Sequence, residues 1–334
     1  MAAPFYNAIK GTTSGTPGTS AFTPNAASTG YQAWSNVHSG WVGLTRYEDG
    51  SAWELSYGYW NATTITRPSS GFVASSTGSQ LSLSSSATAA LVIDAGEMQP
   101  HIGGSGWALY IPVVASTNIS GLGIAAPTST GTAAGSTITT TNYLTEQARN
   151  KYTSATTANA QAGRTFATAS AVYSTAAGRG GFEYTFRFGV SGQPTGPRLF
   201  AGMTGTTFVA STAEPSALVA SFAALTKDST DTNLQFTTND GSGSGTKSDT
   251  GIPLTTNGWY ECTIWAPPGG GTIYCLLIRL DDPSGSNIWF GSRTSDLPAN
   301  GTLPFPQILG GLNATNTGTA IIMEIGMMHI RVGG

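Results

Sequence analysis

Histidine and cysteine are the side chains of this chain best suited to hold a metal ion, and their spacing argues against such a site. His38, His101 and His329 are scattered along the sequence without metal-ligand spacing. The two cysteines, Cys262 and Cys275, are better explained as neighbours on a pair of strands. Structural zinc sites draw on closely spaced Cys and His ligands. We therefore expect no metal site and no bound cofactor.

Motifs for catalysis are equally weak. The sequence contains no Gly-x-Ser-x-Gly turn of the serine hydrolases. Residues 241–248 are rich in Gly and Ser, but Thr246 separates Lys247 from the last glycine and no helical pattern follows, which favours a surface loop over a phosphate-binding loop. Paired carboxylates for glycoside cleavage can come from distant positions, so that alternative stays open. We expect a protein without catalytic residues that is not an enzyme.

The acidic doublet Asp281-Asp282 has two interpretations. Asp before Pro is ordinary turn chemistry, because the carboxylate accepts hydrogen bonds from the backbone that follows. The functional alternative is a loop stabilised by calcium, which prefers oxygen ligands.

Aromatic residues offer a different kind of contact. Most of the eight tryptophans, such as Trp53 and Trp265, fit the inward face of a strand, where core packing is the default role. Trp34, Trp107 and Trp289 lie nearer to predicted loops. Because an exposed ring can stack on the apolar face of a sugar, these three are candidates for contact with a glycan.

The composition restricts the class of protein. Charged residues make up 9% of the 334 residues, against roughly a quarter in ordinary soluble domains, and Gly, Ala, Ser and Thr take their place. Such hydroxyl-rich surfaces suit extracellular or virion β-proteins. The net charge is −3 and lysine is scarce, which argues against nucleic acid as a partner. No apolar stretch is long enough to insert into a membrane, and the N-terminus lacks the pattern of a secretory signal.

Alternating residues predict an all-β protein. Trp53, Leu55, Tyr57 and Tyr59 alternate with small or polar residues, which predicts a strand with the aromatic face buried. We assign residues 1–112 to a small N-terminal β-module and residues 113–141, rich in Ser, Thr, Gly and Ala, to a linker.

The C-terminal part, residues 142–334, is predicted to be an antiparallel β-sandwich of the jelly-roll type. Four aromatic residues, Phe182, Tyr184, Phe186 and Phe188, alternate with polar ones and predict a strand with one aromatic face. Many short strands separated by Gly and Pro turns are typical of sandwiches and jelly rolls.

One hairpin can be given a register from the sequence. A turn centred between Pro268 and Gly269 places Cys262 directly opposite Cys275, and Trp265 opposite Thr272. Directly opposed residues lie about 4.5–5.5 Å apart, close enough for a disulfide in a pair without ladder hydrogen bonds. Two buried free thiols in a protein assembled in reducing cytoplasm are the favoured alternative.

Two stretches resemble known families. Residues 41–92 resemble a module at the start of tail-fibre and related virion proteins of tailed bacteriophages, on the basis of Gly40 to Gly43, Trp53 to Gly58, Thr64 to Arg67 and Ser75 to Ser79. Residues 145–334 resemble the concanavalin-A-like C-terminal domain of many phage structural proteins, on the basis of Tyr152 to Thr156, Ala162-Gly163, Gly180 to Phe182, Arg198 to Met203, Thr232 to Phe236 and Trp259 to Pro268.

The resemblance implies a component of a virion, usually trimeric, and transfers no catalytic residue. The first interpretation is a tail fibre or receptor-binding protein that contacts host-surface glycan, assembled in host cytoplasm and exposed on the particle exterior. Its N-terminal module would bind other virion proteins, and the chain would form a homotrimer. The alternative is a head fibre or capsid decoration protein. A polysaccharide-degrading enzyme is the third, although the long β-helical repeats usual in such enzymes are missing from the sequence.

Overall fold

The fold is known from a computed structural model, which describes residues 9–29, 31–37, 41–92, 106–109, 128–166, 173–176, 180–205, 213–282, 284–301 and 305–332. These residues contain β-strands and short 3₁₀ turns but no α-helix. None of them forms a helix long and apolar enough to cross a lipid bilayer. The strands are β1 Lys10–Thr13, β2 Pro24–Ala27, β3 Trp41–Asp49, β4 Ala52–Trp60, β5 Phe72–Ser75, β6 Thr88–Leu91, β7 Gly106–Leu109, β8 Thr128–Thr130, β9 Thr132–Gly135, β10 Asn150–Thr153, β11 Gln161–Thr165, β12 Phe182–Gly192, β13 Arg198–Thr204, β14 Ser221–Lys227, β15 Asn233–Asp240, β16 Thr246–Pro253, β17 Trp259–Ala266, β18 Ile273–Arg279, β19 Ile288–Arg293, β20 Phe305–Gly311 and β21 Ile322–Val332.

The chain divides into two compact units, and each unit is made of two separate segments of the sequence. The first unit comprises Met1–Gly103 together with Asp282–Phe290. The second comprises Gly104–Asp281 and Gly291–Gly334. A short segment from the C-terminal half of the chain therefore belongs to the N-terminal unit.

The first unit is built on one antiparallel six-stranded sheet, in the order β2-β1-β6-β3-β4-β5. Its core includes Phe22, Trp34, Tyr47 and Trp60, all at most 3% exposed. The Trp34 and Trp60 rings lie 5.8 Å apart between centroids.

The alternation predicted for β4 is present, but the buried face is the opposite one. Glu54, Ser56, Gly58 and Trp60 are buried, whereas Trp53 and the other residues of its face are only partly buried. The prediction of an inward aromatic face was therefore wrong. Glu54 can lie inside because its carboxylate accepts hydrogen bonds from Arg67 at 2.7 Å, from the Leu81 backbone N–H at 2.7 Å and from Ser56 at 2.6 Å.

The partly buried face of β4 contacts the segment Asp282–Phe290 within the first unit. Tyr57 and Phe290 have ring centroids 5.7 Å apart. Thr66 donates a hydrogen bond to the carbonyl of Gly285 at 3.2 Å, and Ser70 donates one to the carbonyl of Ile288. This segment consequently covers part of the aromatic surface that the sequence placed in the core.

The second unit is an antiparallel β-sandwich, as the sequence predicted. One sheet has eight strands, in the order β19-β18-β17-β12-β21-β10-β9 with β7 also paired to β21, and β19 belongs to this unit from Gly291 onwards. The other has seven, in the order β16-β15-β14-β13-β20-β11-β8. On β12, Phe182, Tyr184, Phe186 and Phe188 are all at most 3% exposed, so the predicted aromatic face of this strand lies in the core.

The predicted linker differs from the structure over residues 128–135. These residues form β8 and β9, which pair with β11 and β10 and so add one strand to each sheet. Gly131 joins them with a φ of +76°, and a Cβ there would lie 2.5 Å from the carbonyl oxygen of Thr153. Composition missed these strands because their residues are small and bury little apolar surface.

Candidate functional site

The outer face of the eight-stranded sheet carries a regular array of side chains from four neighbouring strands. The cross-strand register of β18, β17, β12 and β21 aligns them in rows. Row one is Tyr274, Trp265, Glu183 and Arg331, row two is Leu276, Thr263, Thr185 and His329, and row three is Glu261 and Arg187, since the β18 partner of Glu261, Ile278, is buried. We call these three rows the outer array.

The array faces outward because its residues alternate with core residues. On β17, Cys262, Ile264 and Ala266 are buried, which turns Glu261, Thr263 and Trp265 to the opposite face. On β18 the buried residues Ile273, Cys275 and Leu277 likewise turn Tyr274 outward. Successive side chains of a strand point to opposite faces of the sheet, so one strongly apolar face determines the other.

Row one begins with two aromatic rings. The Trp265 and Tyr274 rings lie 5.3 Å apart between centroids, with 18° between their planes, which is a stacked arrangement. Both residues are partly buried. Offset-stacked pairs of this kind are favourable beyond the area they bury, so the two rings support each other's orientation on the sheet.

The next two residues of row one, Glu183 and Arg331, carry opposite charges. Glu183 lies 3.5 Å from a guanidinium nitrogen of Arg331 and 3.9 Å from Nδ1 of His329. Burial and the neighbouring Arg331 charge both hold the pKa of His329 below its usual value. His329 is therefore neutral at pH 7, and the local charge is that of one carboxylate and one guanidinium.

Rows two and three complete the polar part of the array. The hydroxyls of Thr185 and Thr263 are hydrogen bonded at 2.9 Å. Nε of Arg187 donates to the carboxylate of Glu261 at 2.6 Å. Aromatic rings beside fixed donors and acceptors form a surface that can bind a ligand with one apolar and one polar side.

Comparison with known families identifies the second unit. Residues 148–328, more than half of the chain, match the family described as SO2946-like, C-terminal domain. The chain belongs to this family. The comparison with curated proteins finds no match.

The chain is similar to several solved structures. A protein of unknown function from Shewanella oneidensis MR-1 is 16% identical, with 72% of this chain and 95% of that chain covered and a TM-score of 0.43. Peanut lectin in complex with a nine-residue peptide is 10% identical, with 68% and 98% covered and a TM-score of 0.46. The seed lectin of Lotus tetragonolobus is 15% identical, with 60% and 92% covered and a TM-score of 0.41.

The SO2946-like domain contains most of the outer array, which the sequence analysis missed. Trp265 was assigned to the core, but it shares its face of β17 with Glu261 and Thr263. The sequence shows this alternation, since the apolar residues Cys262 and Ile264 occupy the other face of β17. The array could not be assembled from sequence because Arg331 and Glu183 come from strands far apart in the chain.

The three tryptophans proposed for glycan contact fall in different places. Trp34 is 2% exposed and its indole N–H donates to the carbonyl of Ala89 at 3.0 Å, so it is a core residue and not a binding surface. Trp289 is partly buried on β19. Trp107 lies on β7 opposite Ile330, and its side chain is outside the described residues.

The two cysteines of the SO2946-like domain lie on adjacent strands in a register that differs from the predicted one. Cys262 is opposite Leu277, and Cys275 is opposite Ile264. The connection covers residues 267–272, with a turn closed by Gly270 N–H donating to Pro267, so its centre lies one residue later than predicted. The diagonal placement still brings the Sγ atoms to 3.7 Å, and both cysteines are buried free thiols.

The acidic doublet forms turn contacts of the ordinary kind. Asp281 is paired with Arg279 at 2.9 Å. Asp282 accepts hydrogen bonds from the backbone N–H groups and side chains of Ser284, Ser286 and Asn287. Protein donors thus occupy the carboxylate that a calcium ion would need. Among the described residues no group of three or more His, Cys, Asp or Glu side chains is placed to hold a metal ion.

Proposed function

We propose that this protein is a non-enzymatic structural protein of a virion that binds glycan on the host surface. A tail fibre or receptor-binding protein is the preferred form. In this proposal the SO2946-like domain contacts the glycan through the outer array, and the first unit attaches to other virion proteins. The stacked Trp265 and Tyr274 rings carry the proposal, because flat apolar rings bordered by hydrogen-bonding groups suit the two sides of a sugar.

The resemblance of residues 41–92 to the tail-fibre module supports the virion assignment, as does the low content of charged residues. Placement of the array on regular strands also supports binding, since sites on rigid elements are more precise than sites on loops. A homotrimer remains a prediction of the proposal. Light scattering on the full chain should give about three times the protomer mass of 34.2 kDa, and a monomer at micromolar concentration would contradict it.

Glycan binding can be tested with matched aromatic variants. The full-length protein is applied to an array of bacterial surface polysaccharides, alongside Trp265→Ala and Tyr143→Ala. Tyr143 is 41% exposed and lies outside the outer array, so it controls for the loss of an accessible ring. We expect Trp265→Ala to weaken binding at least tenfold and Tyr143→Ala to leave it unchanged. Equal binding of polysaccharide by the unsubstituted protein and both variants would exclude the outer array as the binding site.

The non-enzymatic character has its own support and test. A glycosidase acid requires a carboxyl group with a raised pKa. Glu214 does not meet this requirement, because hydrogen bonds from Arg198 and Ser229 outweigh the effect of burial and hold its pKa below the usual value. Prolonged incubation with a bound polysaccharide should release no new reducing ends or unsaturated products. Release of such products in proportion to the concentration of this protein would contradict this part of the proposal.

Position on the particle separates the tail fibre from the capsid decoration protein. Antibodies against the SO2946-like domain should label the tail and block adsorption to cells. Labelling of the head in capsid symmetry, with normal adsorption, would instead favour the decoration protein.

A further inference from the structure

The charges of the outer array cancel, and this bears on which glycan it binds. Glu183 and Glu261 supply two negative charges, and Arg331 and Arg187 supply two positive ones. The pairs are 3.5 Å and 2.6 Å long and lie on three neighbouring strands, with β12 contributing one residue to each. A ligand with a formal charge would therefore meet no net opposite charge among these four residues.

The charged groups of row one are also partly removed from water. The side chains of Glu183 and Arg331 are 24% and 11% exposed, and that of the neutral His329 beside them in row two is 21% exposed. Separating such a pair to bind a charged ligand costs more than separating an exposed one, because the remaining partner is left partly desolvated. The arrangement favours ligands that can bind the pair without breaking it.

Sugar hydroxyls meet that requirement. A carboxylate only accepts hydrogen bonds and a guanidinium only donates them, whereas a hydroxyl does both. Two neighbouring hydroxyls can consequently donate to Glu183 and accept from Arg331 while the ion pair stays intact. Next to them in the same row lie the Trp265 and Tyr274 rings, against which the C–H face of the same sugar ring can rest.

We infer that the outer array is specific for neutral hexopyranose units, with vicinal hydroxyls on the Glu183–Arg331 pair and the C–H face of the ring against the outward side of the stacked Trp265 and Tyr274 pair. This inference rests on the proposed glycan-binding function. It assigns the class of sugar, and it excludes uronates and other anionic sugars as the preferred ligands.

The test compares oligosaccharides that differ only in charge. Neutral gluco-, galacto- and manno-hexasaccharides are measured by titration calorimetry against the full-length protein, each beside its C6-oxidised counterpart. At least one neutral oligomer should bind tenfold or more tightly than its oxidised form, with an affinity that changes less than twofold between 50 and 500 mM salt. Tighter binding of the oxidised form, weakening with salt, would overturn the inference but leave glycan binding in place.

A charge variant tests the assignment of the sugar class directly. Glu183→Gln keeps the shape of the side chain but removes its negative charge from beside Arg331. We expect it to weaken the neutral oligomer several-fold and to strengthen the oxidised one, reversing the preference. Glu214→Gln removes a carboxylate from the Arg198 pair, 2.9 Å long, on the other sheet and should leave the preference unchanged. An unchanged preference in Glu183→Gln would also overturn the inference.

Failure of the inference and failure of the proposed function are distinguishable. If neither the neutral nor the oxidised oligosaccharides bind, and none of the bacterial polysaccharides binds either, the proposed glycan binding is wrong. If the polysaccharides bind and depend on Trp265 while only anionic oligomers are recognised, the site is right and the sugar class is wrong.

Discussion

Glu54 and Arg67 form an ion pair of 2.7 Å in which neither side chain is exposed to solvent. Arg67 also donates to the carbonyls of Gly18 and Leu81, at 2.9 and 3.0 Å, and its guanidinium lies 4.7 Å from the centroid of the Tyr47 ring. This pair lets β4 turn a glutamate into the core of the first unit. With the hydrogen bonds of Arg67 it joins four separate stretches of the chain.

Breaking this pair should destabilise the first unit strongly. Arg67→Met leaves the Glu54 carboxylate buried without a counter-charge, and we expect a loss of about 3–5 kcal/mol in the free energy of unfolding. Urea denaturation followed by tryptophan fluorescence measures the loss. If Arg67→Met does not fold, Glu54→Gln with Arg67→Met should recover stability relative to the single variant, because no charge is left buried.

Lys10 and Glu48 provide the matched control for this pair. They form a 2.6 Å ion pair in the same unit, but their side chains are 22% and 33% exposed. Lys10→Met should cost about 0–1 kcal/mol, the usual range for such pairs. Equal losses in the two variants would mean that burial of the Glu54 pair has no energetic consequence.

Gly285 should tolerate no side chain. Its φ is +61°, and a Cβ would lie 2.3 Å from Cδ1 of Tyr59. Gly285→Ala should therefore destabilise the first unit by about 2–4 kcal/mol and expose Asp282–Phe290 to limited proteolysis. Gly78 has a φ of +77° with open space around its Cα, so Gly78→Ala isolates the backbone cost, about 1 kcal/mol. Identical behaviour of the two variants would show that the contact with Tyr59 contributes nothing.

Asp282 should make stability depend on acid pH. Burial raises the pKa of its carboxyl group, but hydrogen bonds from Ser284 and Asn287 outweigh this and lower it from 3.8 to about 2. Because the folded pKa is depressed, the stabilisation is complete above pH 3.8 and is lost as the pH falls towards 2. Asp282→Asn should cost about 1 kcal/mol at pH 7, discounted for the exposed part of the group, and little at pH 2. A difference independent of pH would contradict the assignment.

The two cysteines should behave as inert thiols. Burial and the hydrogen bond with Cys275 raise the pKa of the Cys262 thiol, which disfavours the reactive thiolate. We expect no reaction of the folded protein with a thiol reagent, and reaction of both cysteines after unfolding in guanidinium without reductant. An unfolded chain without reactive thiols would indicate a disulfide instead.

Several features of the SO2946-like domain follow from the order of residues alone. Apolar residues at every second position of β12 predict a strand and name its buried face, because no charged residue shares that face. The same reasoning, applied to Cys262 and Ile264, would have placed Trp265 outward. Register is less predictable: the connection over residues 267–272 holds three glycines, and its centre can move by one residue without any change in the flanking pattern.

An all-β protein with an antiparallel sandwich follows from the sequence alone, because a period of two and frequent Gly and Pro turns are local properties. Tertiary structure decided which face of β4 is buried, since Glu54 is stable inside only with Arg67 beside it. It also decided the composition of the outer array, which joins Glu183, Trp265, Tyr274 and Arg331 across four strands. Alternation defines two faces of a strand, but only partners that are distant in the chain determine what each face contacts.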